Sequence, residues 1–220
     1  MTSFVRRLNV NHAGRDFVVG DVHGCFNKLS AELDLVDFNR DLDRLFSVGD
    51  LVDRGPESAA VIEWLTQPWF YAVRGNHEQM ALDYLVGDLD PRDYRLYGGA
   101  WFMELSLSDR KRFAVQFDAL PVALEVETSS GLVCIIHGDC PFSSWAELIA
   151  ELSGEDALLV ADTCLYSRER ITSMDGSGVA GVSKMFVGHT PVSSPILLGN
   201  VHYIDTGAVF GNRLTLTQIK

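Results

Sequence analysis

The first half of the chain repeats one pattern three times: a short apolar run, a polar loop containing glycine, and a stretch with helical spacing of apolar residues. The apolar runs are residues 17–19, 44–48 and 70–73, and the helical stretches are residues 28–36, 57–65 and 77–86. A recurring order of strand, loop and helix predicts parallel strands joined by right-handed crossovers. In such sheets ligands bind at the carboxyl ends of the strands, so the polar loops are the first place to look for a site.

The second half of the chain predicts antiparallel pairs. Residues 124–126 and 132–136 flank a polar turn, and residues 196–198 and 201–204 flank Gly199-Asn200, so each pair is expected to form a β-hairpin. Further strands are predicted at 185–187 and 214–219, and helices at 146–152 and 165–171. With no internal repeat or linker in its 220 residues, the chain is expected to form one domain, residues 1–220, of the α/β (α+β) class.

Charge and hydropathy exclude two classes of partner. The 30 acidic residues outnumber the 18 basic ones, giving a formal charge of −12, so a general nucleic-acid binder is not expected. No apolar run approaches the ~20 residues that a membrane span requires, and no secretory signal is evident, so we expect a cytoplasmic protein. The oligomeric state stays open, with a monomer among the alternatives.

Side chains that bind metals follow the predicted strands. They are Asp21, His23, Asp50, Asn76, His137 and His189. Carboxylate, amide oxygen and imidazole are suitable ligands for first-row divalent ions, and a carboxylate such as Asp50 has two oxygens with which to bridge two ions. With His77, which follows Asn76, four of the six histidines lie in these strand-end motifs, which argues against an ordinary structural role for them. The pattern predicts a dinuclear metal centre.

Arginines beside these motifs predict that the centre binds a phosphate ester. Two divalent ions, two aspartates and a hydroxide leave a local charge of about +1 despite the acidic chain. Arg54 offers a planar fork of donors that matches phosphate oxygens. Arg74 has two equal interpretations, contact with the substrate or bracing of a carboxylate. Paired metal ions activate water and hold both the nucleophile and the phosphoryl oxygens during in-line displacement.

A general acid is also predicted. His77 directly follows Asn76 and could protonate the leaving oxygen. Asp53 would orient His77 and stabilise its charged form. Two neighbours have plainer interpretations: Glu78 is expected to pair locally or favour the N-terminus of a helix, and Trp101 to belong to the core.

These motifs, read as GDVHG at 20–24, GDLVDRG at 49–55, GNHE at 75–78 and GH at 188–189, resemble those of the calcineurin-like metallophosphoesterases. Within that group the chain resembles the phosphoprotein phosphatase family, in particular its small bacteriophage and bacterial Prp-type members, over nearly its whole length. The resemblance implies a central β-sandwich of mixed sheets flanked by helices, with a dinuclear metal site at the carboxyl ends of the strands.

The resemblance also assigns roles residue by residue. The first metal would be bound by Asp21, His23 and Asp50. The second metal would be bound by Asp50, Asn76, His137 and His189. The acid dyad would be His77 with Asp53, and the phosphate-binding arginines would be Arg54 and Arg168. Manganese commonly supports activity in this branch, with iron, zinc, cobalt and nickel as other candidates.

The expected activity is therefore the metal-dependent removal of phosphate from phosphoserine and phosphothreonine in proteins, with phosphotyrosine as an open alternative, by direct attack of a metal-bridging hydroxide. The main alternative is a symmetrical diadenosine-tetraphosphate hydrolase on the same scaffold. Asp53 and the segment 74–78 favour the protein phosphatase. An inactive metal-binding scaffold protein is a third alternative, and the presence of every ligand and of the acid argues against it.

Overall fold

Three parallel strands predicted from the first half of the sequence form most of the smaller of two β-sheets. The computed structural model describes residues 4–219, and in it this sheet has the order β10-β2-β3-β4. Its strands are β2 (Asp16–Val19), β3 (Arg44–Ser47), β4 (Phe70–Ala72) and β10 (Leu216–Ile219). Strands β2, β3 and β4 pair in parallel, and β10 pairs antiparallel with β2. The connecting helices are α1 (Phe26–Leu35), α2 (Val61–Leu65, preceded by a 3-10 turn at Ser58–Ala60) and α3 (Asn76–Val86).

The larger sheet has six strands in the order β1-β5-β6-β7-β9-β8. These strands are β1 (Val5–Leu8), β5 (Ala123–Thr128), β6 (Gly131–Ile135), β7 (Lys184–Val187), β8 (Ile196–Leu198) and β9 (Val201–Tyr203). Both predicted hairpins are present, since β5 pairs antiparallel with β6 and β8 with β9. Strand β1 was not predicted, because its four residues include two arginines and give no clear alternation.

The two sheets pack face to face through one apolar layer. Val18 and Phe46 of the smaller sheet share a buried cluster with Val133, Ile135 and Phe186 of the larger one. Complete burial of such side chains stabilises the fold by about 1.5–3 kcal/mol each. The predicted α/β sandwich is therefore confirmed, and its two sheets are mixed in direction.

Six further helices complete the described chain. They are α4 (Pro91–Leu96), α5 (Ala100–Met103), α6 (Leu107–Asp118), α7 (Trp145–Glu151), α8 (Ala157–Tyr166) and α9 (Glu169–Ser173). Side chains of α6 join the apolar cluster on the outer face of the smaller sheet, and those of α7 and α8 join the cluster on the larger sheet. The longest of the described helices has 12 residues, and no helix within residues 4–219 is long and apolar enough to cross a membrane.

The predicted helix at residues 165–171 is wrong. Helix α8 ends at Tyr166, and Ser167 has an extended conformation with ψ of 139°. A new helix begins at Glu169, where the Ser167 hydroxyl accepts the Glu169 N–H at 3.3 Å and an Asp139 carboxylate oxygen accepts the Arg170 N–H at 3.1 Å. Side-chain acceptors for free N–H groups thus interrupt the helix and restart it.

Candidate metal centre and phosphate site

The two sheets deliver the six predicted ligands to one buried cluster. Asp21 follows β2, Asp50 follows β3, and Asn76 begins α3 after β4, while His137 and His189 follow β6 and β7 of the other sheet. An Asp21 carboxylate accepts the His189 N–H at 3.1 Å, which joins the loops of the two sheets directly. All six side chains are buried, with His23 beside Asp50.

Asp50 lies at the centre of the cluster. One of its oxygens is 3.2 Å from His137 Nε2, and the other is 3.4 Å from His23 Nε2. Potential ligand atoms of His23, Asp50 and His77 lie within 4.8 Å of one another, and so do those of Asp50, His137 and His189. Because the two groups share only Asp50, its carboxylate occupies the place that a bridging ligand requires.

Backbone carbonyls orient two of the imidazoles toward Asp50. His23 Nδ1 is 2.8 Å from the Val52 oxygen, and His137 Nδ1 is 2.7 Å from the Val48 oxygen. A carbonyl oxygen can only accept, so Nδ1 carries the hydrogen in both rings. In the neutral rings each Nε2 then presents a lone pair toward a carboxylate. Carbonyl partners of this kind fix the tautomer of metal-binding histidines, and the donor set fits divalent ions.

Asn76 completes the second group. Its Oδ1 atom lies 2.9 Å from His137 Nε2 and 2.8 Å from His189 Nδ1. The amide oxygen and two imidazoles therefore converge with Asp50 from three separate loops. These are the residues predicted for the second metal, and that role stays a prediction.

The electrostatics of the cluster also favour a cation. Burial, together with Asp205 and Asp50, raises the pKa of Asp21 well above its usual value. Burial lowers the pKa of His23 and of His189 to about 3, so both rings are neutral near pH 7. Metal binding requires neutral imidazole and ionised carboxylate, and crowded buried carboxylates are stabilised by a bound cation. Asp205 was not predicted as a member of this environment, since it follows β9 without any metal-binding motif.

The two residues predicted as the acid dyad are in direct contact. His77 Nδ1 lies 2.8 Å from an Asp53 carboxylate oxygen, and both side chains are buried. The other Asp53 oxygen accepts the Trp101 indole N–H at 2.6 Å and the Tyr94 hydroxyl at 3.3 Å. Trp101 was predicted to belong to the core, but it also donates a hydrogen bond to the dyad. The indole N–H of a tryptophan in the core usually finds a hydrogen-bond acceptor, and this tendency was the only signal in the sequence for such a contact.

Glu78 ties two ligand loops together. Its carboxylate accepts the backbone N–H groups of Gly75 at 2.8 Å, Asp50 at 3.0 Å, Leu51 at 2.8 Å and Val52 at 3.2 Å. The prediction of local pairing at the start of a helix covers only the first of these contacts. The other three cross to the loop after β3 and hold the Asp50 backbone in place.

Two of the three predicted arginines reach the cluster. Arg168 donates from Nε to His189 Nε2 at 3.0 Å, and the Arg54 guanidinium contacts His23 Nε2. Arg74 instead donates to Gln79 at 2.9 Å and to the Asp118 carbonyl at 2.7 Å. From the end of β4 its side chain turns toward the end of α6, where it also lies 3.3 Å from an Asp118 carboxylate oxygen. These contacts favour the bracing alternative, and phosphate binding by Arg74 stays a prediction.

Backbone strain is concentrated at the same place. Seven non-glycine residues of the described chain have positive φ, and five of them belong to this site: His23, Asp50, Asp53, Arg54 and His189. Such conformations are unfavourable for residues with a Cβ and persist where the surrounding structure enforces them, commonly at functional sites.

Comparisons with known proteins agree with this geometry. The family profile described as calcineurin-like phosphoesterase matches residues 17–193. Serine/threonine-protein phosphatase 1 of Salmonella typhimurium is 38% identical over 220 residues, covering 98% of this chain and 96% of the relative. The asymmetrical bis(5'-nucleosyl)-tetraphosphatase PrpE of Bacillus velezensis is 30% identical, covering 90% and 86%.

A solved structure shares the fold. The crystal structure described as a candidate diadenosine tetraphosphatase superposes with a TM-score of 0.70 at 22% identity, covering 98% of this chain and 93% of that one. The profile match spans well over half of the chain, and the metal-ligand motifs meet in one cluster. The chain therefore belongs to the calcineurin-like phosphoesterase family.

Proposed function

We propose that this protein is a metal-dependent phosphatase that removes phosphate from phosphoserine and phosphothreonine in proteins. The observation that carries the proposal is the sharing of Asp50 between two histidine groups with Arg54 and Arg168 at their edge. Two bound divalent ions, together with the two guanidinium groups, would suit the doubly charged monoester of phosphate.

The residues would bind two divalent ions, for which we propose manganese. The first set is Asp21, His23 and Asp50. The second set is Asp50, Asn76, His137 and His189. When bound, the metals would supply Lewis-acid activation of water and of the phosphoryl oxygens.

The remaining residues would position the phosphate and move one proton. Arg54 and Arg168 would donate to the phosphoryl oxygens, for which the planar guanidinium is well suited. His77 would give its Nε2 proton to the leaving oxygen, while Asp53 accepts from Nδ1 and stabilises the charged ring. Trp101 and Tyr94 would hold the Asp53 carboxylate in the orientation that His77 needs.

A protein substrate is favoured over a dinucleotide by the relatives. The protein phosphatase shares more identity and more of its length with this chain than the asymmetrical tetraphosphatase does. Diadenosine tetraphosphate is the second candidate substrate, because that relative still spans most of the chain.

The test compares hydrolysis of a phosphoserine peptide, a phosphotyrosine peptide and diadenosine tetraphosphate by manganese-loaded and chelator-stripped protein. Metal-dependent release of phosphate from the phosphoserine peptide at higher kcat/KM than from the dinucleotide supports the proposal. Preferential cleavage of the dinucleotide would replace it with the second candidate, and no hydrolysis of any phosphoester would leave the scaffold alternative.

His77 is tested separately. His77→Asn should lower kcat by about 10²–10⁴-fold while the bound metal content stays the same. The matched control is His12→Asn, since His12 is exposed and lies outside the cluster. Unchanged turnover in His77→Asn would remove this residue from the proton transfer. The cytoplasmic location and the single domain stay predictions, and the oligomeric state stays open.

A further inference from the structure

A short turn after β9 is fixed by a lysine from the opposite end of the chain. The 3-10 turn Ala208–Phe210 lies between Gly207 and Gly211, both of which have positive φ. Lys28 of α1 donates from Nζ to the Ala208 oxygen at 2.7 Å and to the Asn212 oxygen at 3.0 Å. One ammonium group therefore holds both ends of the turn.

The tip of this turn presents an aromatic ring beside the candidate phosphate site. Phe210 is 62% exposed, and Arg54 Cζ lies 5.7 Å from the centre of its ring. This distance is within the range of a cation–π interaction. An exposed phenylalanine beside a candidate phosphate-binding arginine, on a turn bound by Lys28, is better explained by positioning of that arginine than by core packing.

The Phe210 ring is one of several contacts that place the Arg54 side chain. Its backbone has φ of 67° and its N–H donates to the Gly98 oxygen at 3.3 Å. A Cβ on Gly98 would lie 2.8 Å from Arg54 Cγ, so the base of the side chain packs closely on this glycine. At the guanidinium end, the contact to His23 Nε2 uses the lone pair that a metal would require. The guanidinium then keeps its electrostatic attraction to the buried carboxylates of Asp21 and Asp205 and its contact with the Phe210 ring. The ring is the exposed one of these contacts.

We propose that Phe210, held by Lys28, is a positioning residue that keeps the Arg54 guanidinium directed at the phosphate oxygens. This inference rests on the proposed function to the extent that Arg54 binds phosphate. Phe210 acts through Arg54 on phosphate affinity, and the proton transfer of His77 does not depend on it.

The test uses Phe210→Ala, Phe210→Leu and Phe210→Tyr in the manganese-loaded protein. The readouts are the dissociation constant of inorganic phosphate by calorimetry, and KM and kcat for p-nitrophenyl phosphate. Loss of an exposed cation–π contact corresponds to about a two- to fivefold weaker affinity. We expect Ala and Leu to raise the phosphate Kd and KM by that factor with kcat nearly unchanged, and Tyr to retain wild-type values.

Leu197→Ala is the matched control, because Leu197 is also exposed and apolar but lies on β8. Wild-type phosphate affinity in Phe210→Leu would overturn the proposal, as would an equal loss in Phe210→Tyr. Lys28→Met tests the second part without touching Arg54. It should weaken phosphate binding as Phe210→Leu does, and an unchanged Kd would overturn the role of Lys28.

The calorimetric arm separates this inference from the proposed function. A wild-type protein that hydrolyses no phosphoester contradicts the proposed function, while its phosphate Kd still reports on Phe210. An active wild-type protein with an unaltered Kd in Phe210→Leu contradicts only the positioning role.

Discussion

Replacement of Glu78 by glutamine should destabilise the protein and weaken its metal binding together. One Glu78 oxygen accepts the N–H groups of Gly75 and Asp50, and the other accepts those of Leu51 and Val52. A glutamine has one acceptor oxygen and an NH₂ group that can only donate. Whichever oxygen the NH₂ group replaces, two buried backbone N–H groups lose their acceptor.

The magnitude follows from those two donors. A buried donor without a partner costs about 1–3 kcal/mol, so Glu78→Gln should lower the free energy of unfolding by about 2–6 kcal/mol. Both pairs of N–H groups belong to the loops that carry Asp50 and Asn76. Loss of hydrogen bonds that support metal ligands from outside commonly lowers metal affinity about 10- to 100-fold. Alanine would leave all four N–H groups without an acceptor, and the loss would be comparable with the whole free energy of unfolding of a domain. Glutamine is therefore the informative variant, because the protein should still fold.

The assay is urea unfolding of the metal-free proteins, followed by calorimetric titration with manganese. Glu151→Gln is the matched control, because Glu151 is an exposed residue at the end of α7 and should change neither quantity. A loss of less than about 1 kcal/mol in Glu78→Gln, with unchanged manganese affinity, would refute the view that this carboxylate holds the ligand loops.

Three further outcomes are expected. Trp101→Phe removes the indole donor to Asp53, so kcat should fall by about tenfold at unchanged metal content, measured by steady-state kinetics; unaltered kcat would contradict a role in the dyad. Asp139→Ala leaves the buried Arg170 without its main partner, so the free energy of unfolding should fall by about 3–5 kcal/mol in urea titrations, and a loss below 1 kcal/mol would disprove this. Acidification of the metal-free protein should lower its free energy of unfolding between pH 6.5 and about 3, because the pKa of His23 is about 3 in the folded protein and 6.5 in the unfolded chain, which therefore binds the proton first. His23→Asn should make the free energy of unfolding less dependent on pH in this range, and an equal dependence in the variant would contradict the prediction.

Residues at strand ends were the part of the site that sequence could predict. Apolar runs locate the ends of strands, and parallel strands bring their carboxyl ends to one edge, so Asp21, Asp50 and Asn76 were expected together. His137 and His189 come from the other sheet, and their placement followed from the motif resemblance combined with the same strand-end pattern. The dyad of His77 and Asp53 was predicted in the same way.

Contacts that depend on the direction of a side chain were beyond the sequence pattern. Arg74 follows β4 as the ligands follow their strands, yet its guanidinium turns to Asp118. Trp101 reaches Asp53 from a helix that no pattern predicted, across 48 positions of the chain. In both cases the partner is set by how helices pack on the sheet, and periodicity within one segment carries no information about that packing.

The glycines of the motifs explain why the ligands can converge at all. A Cβ on Gly75 would lie 2.2 Å from the Asp50 backbone nitrogen, and one on Gly188 would lie 2.0 Å from an Asp21 carboxylate oxygen. The loops therefore touch where no side chain fits, both within the smaller sheet and between the two sheets. The carboxylates approach the neighbouring backbone closely enough to accept its N–H groups. The candidate ligands therefore depend on the glycines between them. Side chains from four loops can surround Asp50 only if the loops themselves are in contact, and the glycines allow that contact.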